Sequence, residues 1–164
     1  MGAVHSISAR VTTVNKNEIL ISLSESAATR IGKEAFEQQS LPQKVFTATW
    51  EVESEVNNGG FSQYFLNDSA ESASFVVNAL TTIGAPKTAD ICRRAIVTGF
   101  PGGLPRTTED IRSTATEFSE DTLGKLEPLD QEFFSYPHNL TDLLFAYVTA
   151  HPEEFGTPPK PDDA

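Results

Sequence analysis

Apolar residues recur along most of this chain at the three-and-four spacing of helices, and strand-like alternation is confined to Ile7, Ala9 and Val11. Glycines and prolines cut the helical pattern into short pieces. Ile19, Leu20, Leu23, Ala27 and Ile31 predict a first helix over residues 17–32 with Gly32 as its stop, although residues 18–23 would also suit a strand. Ser40-Leu41-Pro42-Gln43 reads as a helix start, with Ser40 as cap, Pro42 in the first turn and Gln43 reaching back. Over the next turns Val45, Ala48, Val52 and Val56 share a side that Phe46 and Trp50 widen, while Glu51 and Glu55 point away. Glu53 falls beside the apolar face, just ahead of Asn57-Asn58-Gly59-Gly60. A carboxylate so placed needs donors, and the nearest are backbone N–H groups of the glycine turn or of the next helix start.

Phe61, Tyr64 and Phe65 then share a face on a short helix ending near Asn67. Asp68 or Ser69 opens another, with Ala73, Val76, Val77, Leu80 and Ile83 inward and Gly84 as its stop. From Pro86 a helix buries Ile91, Cys92, Ala95 and Ile96 and turns Arg93 and Arg94 outward. Residues 100–105 hold two prolines and two glycines and form a loop. Thr107 caps a helix that buries Ile111, Ala115 and Phe118. Leu123, Leu126, Leu129, Phe133 and Phe134 supply core to a broken helical segment, and Asn139 caps a last long helix with Leu140, Leu143, Leu144, Tyr147 and Val148 inward. The expectation is an all-α, compact single-domain bundle of about six to eight short helices over residues 17–155. An N-terminal extension with a strand-like start (1–16) precedes it, and a loose, proline-rich acidic tail (156–164) follows.

Composition narrows the function. In a chain of 164 residues, one cysteine, Cys92, leaves neither an internal disulfide nor a zinc site, and no metal or cofactor is expected. No apolar run approaches the roughly 18 residues a membrane span needs. Polar residues break up the first fourteen, so no secretory signal is read and the expected location is the cytoplasm. Acidic residues number 23 against 12 basic ones, a net charge of −11. Its placement is uneven: residues 1–108 carry −1 and residues 109–164 carry −10. Such a field repels nucleic-acid backbones and anionic membranes and draws basic partners at long range.

The chemistry of the usual enzyme motifs is missing: there is no G-x-S-x-G elbow, Walker loop, H-E-x-x-H or dinucleotide fingerprint, so no enzymatic activity is expected. His5, His138 and His151 are read as structural. The densest local signal gathers Glu53, Asn57, Asn58, Gly59, Gly60, Phe61, Gln63, Tyr64 and Asn67. Glycines permit positive φ and the aromatics anchor a turn, which makes a rigid corner; the same amides and carboxylates could instead bind a small polar ligand or serve catalysis.

The run from Glu55 to Asn67, Glu-Val-Asn-Asn-Gly-Gly-Phe-Ser-Gln-Tyr-Phe-Leu-Asn, resembles the signature of a bacterial family whose best known member is an acidic DNA mimic. Ala79-Leu80, Ile83-Gly84-Ala85, Leu129-Asp130-x-x-Phe133-Phe134 and Leu140-x-x-Leu143-Leu144-x-x-Tyr147-Val148 extend the resemblance over roughly residues 40–155. It implies an all-helical domain that binds a basic DNA-binding protein, a transcription factor or nucleoid protein, in place of DNA, and a homodimer. Carboxylates three and four residues apart on a helix stand roughly 5–6 Å apart at Cβ, comparable to the charge density of a phosphate strand. Glu117, Glu120 and Asp121 meet this spacing, as do Glu127 and Asp130, and with Glu109, Asp110 and Glu132 they make the candidate partner face. A plain dimeric interaction module is the remaining alternative.

Overall fold

The computed structural model describes residues 14–25 and 34–162. The strand-like alternation at Ile7, Ala9 and Val11 and the helix stop at Gly32 lie outside the described residues. Among the described residues the chain is all-helical, with α1 (Lys16–Glu25), α2 (Leu41–Leu66), α3 (Val76–Thr82), α4 (Pro86–Gly99), α5 (Thr108–Thr116), α6 (Glu120–Phe134), α7 (Leu140–Thr149) and α8 (Pro152–Phe155). Short 3-10 turns at Phe36–Gln38 and Asp68–Ser72 join some of them. No helix among the described residues is long and apolar enough to cross a membrane.

Three caps form where the sequence placed them, but the helix expected to open at Asp68 or Ser69 begins only at Val76, after the 3-10 turn Asp68–Ser72, and has no side-chain cap. The Ser40 hydroxyl accepts from the Gln43 N–H while the Gln43 carboxamide accepts from the Ser40 N–H, which satisfies two donors at the start of α2. Thr107 and Asn139 accept in the same way from the Asp110 and Asp142 N–H groups. Helix α2 is the axis of the molecule: α3, α5, α6, α7 and the Asp68–Ser72 turn all pack on it. Its Phe46, Val52, Val56, Phe61 and Phe65 are fully buried. Phe61 meets Phe133 of α6 edge-on at 5.8 Å, and Phe65 meets Phe100 edge-on at 5.1 Å. Each buried ring contributes about 1.5–3 kcal/mol through removal of apolar surface from water. Cys92 lies in this core as an inert thiol, its pKa pushed up by burial.

Other expectations change as well. The segment read as broken is one continuous helix, α6, which passes through Pro128 because Leu126, Leu129 and Phe133 are held in the core on one side of it. Leu123 and Phe134, read as core, stand at the surface. Beyond α8 the chain folds back instead of hanging loose: Pro161 is buried, and Asp162 accepts the Val14 N–H at 3.1 Å. Helix α1 is tied down beside it by Lys16, whose ammonium lies 3.0 Å from Asp142 of α7.

Candidate functional site

The signature turn is a kink within α2 and not a loop between helices. Gly59 is extended in φ, and Gly60 has φ +76° with ψ −177°, a conformation that disfavours any side chain. The break denies Phe61 the carbonyl one turn back, and its N–H donates instead to Asp130 Oδ1 of α6 at 2.8 Å. A Cβ on Gly60 would collide with that same carboxylate, and one on Gly59 with the Gln63 carboxamide. The carboxylate serving the kink is therefore Asp130, whereas Glu53 was expected there.

Glu53 is half-buried and accepts from the Tyr136 hydroxyl at 2.9 Å, and the Asn57 amide in turn donates to the Tyr136 oxygen. Burial pushes the Glu53 carboxyl pKa up, against the opposing pull of the tyrosine hydroxyl. Tyr136, just past α6, sits at φ +48°, a left-handed conformation costly for a side-chain-bearing residue, which this clamp holds in place. On the other side of the kink, Glu55 Oε2 accepts from Gln63 Nε2 and Asn67 Nδ2, both at 2.8 Å. Glu55 is thus half-buried and held by protein donors, contrary to the helical wheel. Asn58 stands exposed, and the Tyr64 hydroxyl is buried against Ser72 at 2.9 Å. Most polar groups of the signature have partners inside the fold, so the geometry is that of a rigid corner joining α2 to α6.

Glu51 also departs from expectation. Its carboxyl is buried, faces Glu71 and Ser72, and its Oε2 has no hydrogen-bond partner. Burial, reinforced by the Glu71 carboxyl, pushes its pKa up to about 9. Nothing in the local sequence marks this pair, because Glu71 reaches it from the 3-10 turn after α2.

The candidate partner face divides. Glu109, Asp110, Glu117, Glu120 and Glu127 are exposed and make no ion pair among the described residues. Asp121 is exposed too but lies 2.7 Å from Lys125 one turn on. Glu132 is engaged by Arg94 of α4 at 2.6 Å, and Arg94 also holds Asp90, whose pKa is lowered by Arg93 and Arg94. Asp130 is half-buried at the kink and does not stand in the outward row; burial pushes its pKa up, opposed by the Phe61 N–H. Of the histidines, His138 accepts the Lys87 N–H and His151 Nδ1 lies 2.8 Å from the Tyr147 carbonyl, while His5 lies outside the described residues. No group of three residues suited to holding a metal occurs among the described residues.

The family described as DMP19-like protein matches this chain over residues 37–151, which takes in the capped start of α2, the kink, the acidic helices and α7. No curated protein and no solved structure matches.

Proposed function

The chain belongs to the DMP19-like protein family, and from that premise we propose that it acts as a DNA mimic, binding a basic DNA-binding protein through α5 and α6 and lowering that protein's hold on DNA. The observation that carries the reading is the set of exposed carboxylates on α5, α6 and the turn between them that make no ion pair among the described residues: Glu109, Asp110, Glu117, Glu120 and Glu127. They belong to a C-terminal third with a net charge of −10. The apolar sides of α5 and α6 are occupied by the core through Ile111, Ala115, Leu126, Leu129 and Phe133, which leaves the carboxylates to solvent. Charge presented in this way repels phosphate, so the partner is a protein and neither nucleic acid nor a membrane. The cytoplasm is the compartment in which such a partner is met, and a homodimer, tested by sedimentation, would extend the row across two copies.

The rigid corner at Gly59 and Gly60 supports this function from behind, by fixing α6 on α2 through Asp130 and Tyr136. The test uses the purified chain as bait in an extract of its host, followed by a gel shift with the captured protein on its own DNA. A DNA-binding protein should be retained at low salt, released as the Debye length shrinks from roughly 10 Å at 0.1 M toward 3 Å at 1 M, and displaced from its DNA by the chain. Glu117→Lys, Glu120→Lys, Asp121→Lys and Glu127→Lys together should remove all three effects while the helical circular dichroism is unchanged. Retention of the same protein by that variant at low and high salt alike would sink the proposal.

A further inference from the structure

Between the end of α2 and the junction of α5 with α6 runs an open groove of about 470 Å³ whose walls include Gln63, Leu66, Asn67, Phe118 and Leu123. Leu66 and Leu123 come from opposite walls and remain 42% and 43% exposed. Single exposed leucines are ordinary, but two of them on one concavity are not. Exposed carboxylates neighbour its lining residues in sequence: Glu117 precedes Phe118, Glu120 and Asp121 precede Leu123, and Glu55 accepts from the carboxamides of Gln63 and Asn67. Because each carboxamide donates an N–H to Glu55, the oxygen of Asn67 is left as an acceptor with no partner among the described residues. The nearby cations are already engaged, Arg112 by Asp68 and the Leu66 carbonyl, and Lys125 by Asp121.

We infer that this groove is the specificity pocket of the acidic face, seating one aliphatic side chain that projects from a basic helix of the partner protein, with lysine or arginine one turn to either side. The inference rests on the proposed function and adds to it what a row of carboxylates alone cannot provide. Coulomb attraction to the row favours any cationic surface, whereas the fit of one methyl-bearing side chain between Leu66 and Leu123 selects among them. Duplex DNA offers the same pairing of charge with apolar contact, since thymine methyl groups stand between phosphate rows in the major groove. Charge complementarity commits the occupant: a second copy of this chain, at −11, would bring carboxylates against carboxylates.

The experiment titrates the full chain with two fluorescent, alanine-rich helical peptides of about 18 residues, long enough to be helical alone, that carry the same lysines and arginines and differ in a central Leu or Ala. The Leu peptide should bind about tenfold more tightly, at low and high salt alike. That ratio should fall to about one in the Leu66→Ala, Leu123→Ala variant, whose helical circular dichroism at the assay temperature should match the wild type. Equal binding of the two peptides to the wild-type chain, or a ratio that survives in the double variant, overturns the groove. If that binding is still salt-sensitive and lost in the charge-reversed variant, only the groove has failed. Absence of binding by either peptide at low salt overturns both the groove and the acidic-face reading.

Discussion

At Gly60 the backbone and a carboxylate compete for the space a side chain would fill. Replacing it with Ala meets a positive φ and the Asp130 carboxylate at once, and should cost about 1–3 kcal/mol or more in urea unfolding. Asp130→Ala should cost about 1–3 kcal/mol by orphaning the Phe61 N–H. In that background Gly60→Ala should cost less than in the wild type, because the collision is gone and only the φ term remains. Glu51 gives a second residue-level prediction, with its sign fixed by linkage. Its folded pKa of about 9 stands above the ordinary 4.5, so between these values the native state holds a proton that the unfolded chain has lost. Stability contributed by this group therefore falls as pH rises across that window, by up to about 1.4 kcal/mol per pH unit. Glu51→Gln should unfold at higher urea than wild type at pH 8 and at nearly the same urea near pH 5; the opposite order would refute the buried, protonated carboxyl. Gly59, Gly60 and the pairing of a carboxylate with a backbone N–H at the turn were legible in the sequence. Which carboxylate was not, since Asp130 and Tyr136 approach from 69 and 83 positions away from the groups they meet.

Elements were legible wherever a local hydrogen bond decides them. The caps at Ser40, Thr107 and Asn139 and the stop at Gly84, with φ +90°, depend on a few adjacent residues and form as expected. The helical wheel failed on α2 for a physical reason: a wheel assumes one buried stripe and one wet side, but this helix is covered by α3, α5, α6 and α7. Glu51 and Glu55 sit on its nominally wet side and are partly buried all the same. On α6 the failure ran the other way, because Pro128 and Gly124 lower local propensity while packing against α2 and α4 overrides it. The Ser40 hydroxyl links two elements, accepting from Gln43 and donating to Glu154 of α8 at 2.9 Å. Ser40→Ala should lower stability by about 1 kcal/mol and speed amide exchange in the first turn of α2 and in α8 together. Exchange that rises in only one of the two would show that the cap does not couple them.

Across the whole molecule the charge is one-sided. The part that contains the kink and all of α2 is close to neutral, while exposed carboxylates without an ion pair among the described residues gather on α5, α6 and the turn between them. Long-range attraction acts before contact, so it raises the rate of encounter, whereas apolar contact in the groove is made only after docking and sets how long the complex lasts. The two contributions should therefore separate in kinetics with the Leu-bearing basic peptide. Stopped-flow measurements should show the association rate falling steeply as salt is raised from 0.05 toward 0.5 M, where the Debye length drops below roughly 10 Å, with the dissociation rate changing little. The charge-reversed variant should lose the association rate, and Leu66→Ala, Leu123→Ala should raise the dissociation rate about tenfold at every salt concentration. If salt acted mainly on dissociation, the carboxylates would be making close, desolvated pairs in the complex and not steering it. The outward row would then be a buried contact surface, and truncation of Glu117 or Glu120 to Ala would become the sharper probe.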